Sequence, residues 1–150
     1  MGNYRLRRAE KTDIPLIFSL VNELALFEKA PHEVTATEAD YEENGFKDNP
    51  LFDCFLLFEE GKLAGFALWY YRFSTWKGKR FYLEDLFVKE EFRGQGYGTI
   101  LMEAVIEEAK RTKSSGMMWQ VLDWNSPAIK FYEKYGVKFD GEWLNVHLDL

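Results

Sequence analysis

The fold is decided by residues 80–99, RFYLEDLFVKEEFRGQGYGT. The first part, Arg80 to Val88, has the apolar pattern of a long strand, and Arg93 to Gly98 form a glycine-rich loop. From Thr99 to Arg111, apolar residues recur at helical spacing, which predicts an amphipathic helix. The stretch therefore predicts a strand, a loop and a helix in immediate succession.

The glycine-rich loop is a candidate phosphate site. The first amides of a helix have no partner within the helix, and the positive end of the helix dipole favours anions. Glycine allows positive φ and a close backbone approach to phosphate oxygens. The loop lacks the Lys and Ser/Thr of a P-loop, and its G-x-G-x-G spacing differs from the G-x-G-x-x-G dinucleotide fingerprint. Taken alone, it also fits a tight strand-to-helix connection.

Upstream of this stretch, the patterns predict three strands and two helices. Tyr4 to Arg8 is a predicted strand, and a helix begins after Thr12 or Asp13. Thr37 and Asp40 have the spacing of a capping box, which predicts a second, short helix. The other two predicted strands are Phe52 to Phe58 and Leu63 to Tyr71.

Downstream, the patterns predict a strand at Met117 to Leu122, a helix and a final strand. Ser126 can cap the helix, with Pro127 at its first position and Gly136 at its end. Trp143 to Leu148 has the pattern of a last strand. The order β-α-α-β-β-β-α-β-α-β predicts an α/β fold of the mixed α+β kind, with helices on the faces of a mixed sheet. A chain of 150 residues without a repeat or linker predicts one domain, residues 1–150.

Composition narrows the class of function. The net charge of −6 disfavours nucleic-acid phosphates, and it favours a cationic ligand only weakly because many enzymes are acidic for solubility alone. The longest apolar run, Leu63 to Tyr71, is too short to span a bilayer. Cys54 is the only cysteine, and His32 and His147 stand far apart, so we expect a cytoplasmic protein without a metal site. We expect neither a nucleic-acid nor a membrane partner.

In its context, the loop resembles the acyl-CoA loop of the GNAT acetyltransferases, which has the pattern Q/R-x-x-G-x-G/A. Arg93, Gly96 and Gly98 fill that pattern between the strand and the helix. The resemblance extends over nearly the whole chain and points to the diamine acetyltransferases, the spermidine/spermine and thialysine N-acetyltransferase group. The segments that carry it are Asn22–Ala25, Phe27–Lys29, Ser74–Gly78, Tyr82–Asp85, Val121–Asn125 and Phe131–Tyr132.

The resemblance implies a GNAT fold, with a mixed, mostly antiparallel sheet that is splayed at the acetyl-CoA site. Acetyl-CoA would be the cosubstrate, and no metal is implied. The residues implied to hold the pyrophosphate are Arg93, Gly94, Gln95, Gly96, Tyr97, Gly98 and Thr99. The backbone implied to pair with the pantetheine arm is that of Leu86, Phe87 and Val88. The further cofactor contacts implied are Asn125, Ser126, Pro127, Ala128 and Tyr135.

Amine acetylation requires two proton transfers. A primary amine has a pKa of about 10, so a base must remove its proton, and an acid can protonate the leaving thiolate. A backbone amide at the strand splay can stabilise the charge that develops on the thioester carbonyl. The resemblance makes Glu84 the candidate base, acting through a water, and Tyr132 the candidate acid. The residues alone also fit a Glu84 at a solvent-exposed strand end and a Tyr132 in the core.

The substrate ammonium needs negative charge or aromatic faces around it. The resemblance implies that Phe27, Glu28, Trp76 and Asp85 line the substrate site together with Glu84. Adjacent acids on a strand point to opposite faces, which predicts that at most one of Glu84 and Asp85 reaches a given site. Trp76 also fits a loop anchor packed on the core.

A small-molecule amine N-acetyltransferase is the function we expect from these residues. Ser74 and Thr75 stand where polyamine acetylators tend to carry an acid, which weakens the case for a long polyamine. Two alternatives are a protein or peptide N-acetyltransferase, which needs an open groove, and a CoA-binding module without catalysis. The presence of both Glu84 and Tyr132 argues against the second. By resemblance, we expect a homodimer in which C-terminal strands pack between subunits.

Overall fold

The computed structural model describes residues 2–150, and the chain divides into two compact units on either side of the Gln120–Val121 bond. In residues 2–120, the strands are β1 (Tyr4–Arg8), β2 (Asp53–Glu59), β3 (Lys62–Ser74), β4 (Gly78–Val88) and β5 (Gly116–Met118). The helices of this unit are α1 (Ile14–Phe27), α2 (Glu38–Gly45) and α3 (Tyr97–Arg111). The second unit contains α4 (Ser126–Glu133).

The strands form one sheet in the order β1-β2-β3-β4-β5. Neighbouring strands are antiparallel except for β4 and β5, which are parallel. The pairing of β4 with β5 covers only Arg80, Phe81 and Tyr82. Among the described residues, no strand pairs with that edge of β4 from Leu83 onward, so the sheet is open there. The predicted mixed, mostly antiparallel sheet is confirmed.

Helices α1 and α3 pack on opposite faces of the sheet because each of them carries one apolar stripe. The core on the α1 face combines residues of one helix and three strands: Ile17, Leu20, Cys54, Leu56, Phe66, Leu68 and Phe87. The apolar residues that α3 buries recur at three- and four-residue spacing, as on one face of a helix: Tyr97, Leu101, Met102, Val105 and Ala109. The predicted α/β class is therefore confirmed.

One predicted strand is shorter than expected, and another does not form in the described residues. The strand predicted at Met117 to Leu122 ends at Met118, and residues 137–150, all of them described, form neither helix nor strand. The apolar alternation of the second segment is real, but a strand exists only where a second strand accepts its backbone hydrogen bonds. The large apolar side chains left exposed in residues 137–150 are Phe139, Trp143, Leu144, Val146, Leu148 and Leu150.

The caps of α4 and α3 also differ from the prediction. Asn125, and not Ser126, is the N-cap of α4, and its Oδ1 accepts the Ala128 amide at 3.3 Å. The helix ends at Glu133, and a turn continues to Gly136, whose φ is +67°. Helix α3 starts at Tyr97, two residues before the predicted start, because Gly96 is its N-cap.

Glu108 ties α3 to β1. Its buried carboxylate accepts hydrogen bonds from Arg111 at 2.7 Å and from Arg8 at 2.9 Å, and Arg8 also pairs with Asp53. The Arg111 hydrogen bond, reinforced by Arg8, lowers the pKa of Glu108 to about 2 against the opposing effect of burial. The ionised form of Glu108 is therefore part of the folded state.

We predict that Glu108→Gln lowers the free energy of unfolding by about 2 kcal/mol at about pH 7. Because the folded-state pKa lies below the unfolded value, this stabilisation is present above about pH 4.5 and is lost as the pH falls toward 2. Urea unfolding at about pH 7 and pH 3 measures both limits. The control is Glu107→Gln, which removes an exposed carboxylate of the same helix. An equal loss in both variants would contradict the role of Glu108.

Candidate active site

The glycine-rich loop forms the start of α3. Gly94 and Gly96 have φ of +76° and +86°, and a Cβ at either position would meet nothing within 4 Å. The left-handed backbone, and not a lack of space, therefore requires glycine. The first helical hydrogen bond joins the Ile100 amide to the Gly96 carbonyl at 3.1 Å, so the amides before Ile100 remain outside that ladder. This geometry suits a phosphate group.

Arg93 connects the loop to the end of β4. Its Nε donates to the Val88 carbonyl at 2.9 Å, and its guanidinium lies over the rings of Phe27 and Phe87, at 4.9 and 5.4 Å. The positive charge is thereby held beside the loop, at the end of the open edge. The Phe87 side chain is part of the core, so only its backbone can face a ligand.

Tyr97 turns its side chain away from the loop. The ring is buried, stands edge-on to Tyr4 at 6.1 Å, and its hydroxyl donates to Glu59 Oε1. Of the predicted phosphate contacts, Tyr97 can therefore offer only its backbone amide. Its side chain fixes the position of the first turn of α3.

The open edge of β4 includes the backbone of Leu86, Phe87 and Val88. On their other side these residues pair with β3, where Gly65 faces Val88. A Cβ on Gly65 would lie 2.5 Å from the Phe87 carbonyl oxygen, so glycine is needed for this close approach. An exposed strand edge is suited to pair with an extended ligand chain.

A β-bulge at Glu84 interrupts β4. Leu68 pairs with Asp85 whereas Trp69 pairs with Leu83, so Glu84 is an extra residue without a partner. Leu68 and Tyr70 are alternate residues of β3, so their side chains lie on the same face of the sheet. Residues that pair directly across two strands also share a face. Tyr82, which pairs with Tyr70, and Asp85, which pairs with Leu68, therefore lie on one face.

Glu84 reaches that face as well, because its Oε1 accepts a hydrogen bond from the Tyr70 hydroxyl at 3.1 Å. The prediction that at most one of Glu84 and Asp85 could reach a given site is therefore wrong. Strict alternation fails where a bulge adds a residue to one strand.

The carboxylates of Glu84, Asp85 and Glu28 form one acidic cluster. Burial, the charge of Glu84 and the charge of Glu28 raise the pKa of Asp85 to about 7. Burial, followed by the charge of Glu84, also raises the pKa of Glu28, which caps the C-terminus of α1. The cluster therefore favours a bound cation.

Three tyrosines around the acidic cluster were missed by the sequence analysis. Burial and the nearby carboxylates raise the pKa of Tyr41, on α2, and of Tyr70 to about 12. Burial and the charge of Glu84 also raise the pKa of Tyr82. A pattern of spacing could not find them, because they lie on three elements that only the folded sheet brings together.

Trp76 and Phe27 have different surroundings. Trp76 lies in the turn between β3 and β4, 84% exposed, so its interpretation as an anchor packed on the core is wrong. Glu84 stands six residues into β4 from Gly78, about 20 Å along the strand, so the structure does not bring Trp76 to the acidic cluster. Phe27 ends α1 under Arg93, next to Glu28.

The other predicted site residues lie in the second unit. Asn125, Ser126, Pro127 and Ala128 form the capped start of α4. Tyr132 is buried on this helix, with its ring edge-on to Phe131 at 5.5 Å, and the ring of Tyr135 also lies edge-on to Phe131, at 5.7 Å.

Within residues 2–150, the structure has no group of three His, Cys, Asp or Glu side chains that could hold a metal ion. No helix in that range combines the length and apolar character that a membrane crossing requires.

The fold and this site define a class of protein. A mixed sheet with an open strand edge, which leads into a glycine-rich helix start, is suited to an extended ligand that ends in phosphate. A profile of the acetyltransferase (GNAT) family matches residues 17–137. The chain belongs to the GNAT acetyltransferase family, and it is an acetyltransferase.

Individual relatives agree with this assignment. The chain is 36% identical over 146 residues to the thialysine N-epsilon-acetyltransferase of Mus musculus. The alignment covers 92% of this chain and 86% of the mouse protein. The chain is also 36% identical over 144 residues to the spermidine/spermine N(1)-acetyltransferase-like protein 1 of Homo sapiens, over 91% of this chain and 21% of that one. An aminoglycoside acetyltransferase from a soil metagenomic sample shares the fold, with a TM-score of 0.80 at 17% identity over 98% of this chain and 96% of that one.

We predict that Asp85→Asn stabilises the protein by about 2 kcal/mol at about pH 8.5 and leaves its stability unchanged near pH 4. The folded-state pKa of about 7 lies above the ordinary value of 3.8, so the stability of the wild type falls as the pH rises through this window. Urea unfolding at both pH values measures the difference, with Asp48→Asn, at an exposed position, as the control. A destabilised Asp85→Asn protein at about pH 8.5 would refute the electrostatic origin.

Proposed function

We propose that this protein transfers the acetyl group of acetyl-CoA to a primary amine of a small diamine-type substrate. The substrates in this class are a thialysine-like amino acid, a diamine or a polyamine. The observation that carries the proposal is the bulge at Glu84, which gathers an acidic cluster on one face of the strand that ends at the phosphate loop. A cation and an extended acyl carrier can then meet at one strand.

The residues of the first unit fit acetyl-CoA. The amides of Gly94, Gln95, Gly96, Tyr97, Gly98 and Thr99, together with Arg93, would hold its pyrophosphate, and the backbone of Leu86, Phe87 and Val88 would pair with its pantetheine arm. Acetyl-CoA would supply an acetyl group activated as a thioester. The pairing aligns an extended chain along β4, which restricts where a reacting group can lie and so lowers the entropic part of the barrier.

The acidic cluster supports an ammonium substrate. Glu28 and Asp85 would bind the cation, and the ring of Tyr41 would offer it an aromatic face. Phe27 and Tyr82, whose rings already contact Arg93 and Arg72, would line the site with apolar surface. Of the two relatives, the mouse protein is named a thialysine N-epsilon-acetyltransferase and the human protein a spermidine/spermine N(1)-acetyltransferase-like protein, and both names refer to amines. Ser74 and Thr75 place no acid before Trp76, which favours a short substrate over a long polyamine.

Two side chains would move the protons. Glu84 would accept the amine proton through a water. Its side chain is exposed, and one of its carboxylate oxygens, Oε1, accepts the hydrogen bond from Tyr70. Tyr132 of α4 would donate its phenolic proton to the leaving sulfur, with Asn125, Ser126, Pro127, Ala128 and Tyr135 as further cofactor contacts. The proposal requires that residues 1–150 act as one catalytic domain. A cytoplasmic location stays a prediction that rests on the single cysteine.

Thiol release from acetyl-CoA tests the reaction. We expect release with thialysine, ornithine-like diamines or short polyamines, and none with a peptide that lacks a free amine. Tyr132→Phe should lower kcat about 100-fold or more with little change in the KM for acetyl-CoA, because only the proton donor is lost. Tyr71→Phe, which alters a tyrosine bonded to Thr112, is the control. No thiol release with any amine would refute the function, and an active Tyr132→Phe enzyme would refute the role of Tyr132.

We also propose that the protein is a homodimer through its C-terminal segment, defined as residues 143–150. The apolar side chains of this segment alternate along the chain and are largely exposed, which is the pattern of a strand without a partner: Leu144, Val146, Leu148 and Leu150. A second copy would supply that partner.

Sedimentation equilibrium tests the dimer. We expect twice the chain mass of 17.7 kDa for the wild type and a single chain mass for a Val146→Lys/Leu148→Lys variant. The charges would prevent burial of the segment. Asp149→Lys on the same segment is the control because it changes charge at a polar position. A monomeric wild-type protein would refute the proposal.

A further inference from the structure

Tyr70, on β3, is hydrogen-bonded to the candidate base. Its hydroxyl donates to Glu84 Oε1 at 3.1 Å. Neither the loop nor the predicted substrate residues account for this contact. Because Glu84 is the extra residue of the bulge, it has no partner on β3 to fix its backbone, and a side-chain contact can set its direction.

The ring of Tyr70 is itself held in place. Tyr70 pairs directly with Tyr82, and their rings lie 5.1 Å apart. The guanidinium of Arg72 lies over the other ring of this pair, 5.0 Å from the centroid of Tyr82, and Arg72 also contacts the sulfur of Met118 at 3.1 Å. A row of packed side chains therefore leads from the end of β5 to the hydroxyl of Tyr70, so the hydroxyl is presented to Glu84 by a ring with little freedom.

We propose that Tyr70 is a positioning residue for the base. It holds one oxygen of Glu84 and leaves the other oxygen to accept the proton of the amine. In this step the N–H bond of the ammonium breaks, the proton passes through a water to the second oxygen of Glu84, and the O–H bond of Tyr70 stays intact. The inference rests on the proposed function, because it assigns a role to a neighbour of the proposed base.

The hydrogen bond from Tyr70 to Glu84 opposes the repulsion between Glu84 and the neighbouring carboxylates. Glu28 from α1 and Asp85 from the same strand repel its ionised form, Tyr41 from α2 and Tyr82 from β4 are neutral, and Arg72 lies beyond the tyrosine pair. A donor that binds the carboxylate favours the ionised, basic form. Burial and the charge of Glu84 raise the pKa of Tyr70 to about 12. At neutral pH the Tyr70 hydroxyl therefore keeps its proton and remains a hydrogen-bond donor.

Tyr70→Phe removes the hydroxyl and keeps the ring. We expect kcat to fall about threefold to tenfold, the size of one hydrogen bond, and the KM for acetyl-CoA to stay within about twofold. The acid limb of the pH profile of kcat/KM should move up by about half a unit to one unit, because the repulsion from Glu28 and Asp85 is no longer opposed. A tyrosine that only packs would change stability but not this limb.

The matched control is Tyr71→Phe. Tyr71 is the next residue on β3, so its side chain points to the opposite face, and its hydroxyl contacts Thr112 Oγ1 at 3.1 Å. The substitution removes the same atom from the same strand. We expect wild-type kcat and a wild-type pH profile. If Tyr70→Phe and Tyr71→Phe behave alike in an active enzyme, the positioning role is refuted.

A double variant separates a role through Glu84 from a direct one. If Tyr70 acts through Glu84, Tyr70→Phe should have no further effect on the residual rate of Glu84→Gln. An undiminished effect in that background overturns the proposal. The contact also has a readout that does not need turnover, the carboxyl ¹³C signal of Glu84, identified by its loss in Glu84→Gln.

The chemical shift of that signal at a fixed pH should change in Tyr70→Phe and not in Tyr71→Phe, and an unchanged signal in Tyr70→Phe overturns the inference. A wild type that acetylates no amine refutes the proposed function, and the positioning role with it, even where that signal changes. An active wild type with an unmoved acid limb in Tyr70→Phe refutes the inference alone.

Discussion

One extra residue in β4 organises the acidic side of the candidate site. Without the bulge at Glu84, strict alternation would send Asp85 to the face opposite Tyr82. With it, Asp85 pairs with Leu68 and joins the α1 face, where Glu28 and Tyr41 lie close enough to influence it. The bulge also leaves Glu84 unpaired on the strand, so that its side chain can remain exposed while its neighbour is partly buried. Two adjacent acids thus have different environments at one place.

Two acids of this fold show how environment sets protonation. Glu108 is buried between Arg8 and Arg111, and its pKa falls to about 2 because donors satisfy the charge. Asp85 is partly buried among other acids, and its pKa rises to about 7 because burial and the charges of Glu84 and Glu28 all act in the same direction. The first arrangement stabilises the fold. The second destabilises it at neutral pH, which is typical of a group kept for binding or chemistry.

Local sequence signals predicted the parts of the structure that depend on neighbours in the chain. The glycine loop, α3 and the long β4 follow from helical spacing, glycine and apolar runs within residues 80–111. The bulge could not be predicted from local patterns, because it is defined by the pairing of two strands. Leu68 pairs with Asp85 and Trp69 pairs with Leu83, and these partners are distant in the sequence. The same reason hid Tyr41 and Tyr70. The prediction for Trp143 to Leu148 was wrong for the opposite reason, since the segment has the local pattern of a strand but no strand of residues 2–150 pairs with it.

The arrangement of acids also reconciles two opposed demands on an amine acetyltransferase. The site must attract an ammonium ion and then take its proton, yet each added carboxylate makes the ammonium hold that proton more tightly. A cluster of three permanently ionised acids would bind well and react poorly. Asp85 titrates near neutrality, so its charge is adjustable, whereas Glu84 stays exposed to water with a tyrosine donor on one oxygen. In this proposal Glu28 and Asp85 attract the ammonium ion, and Glu84 removes its proton. The two roles can differ because the bulge leaves Glu84 more exposed to solvent than Asp85.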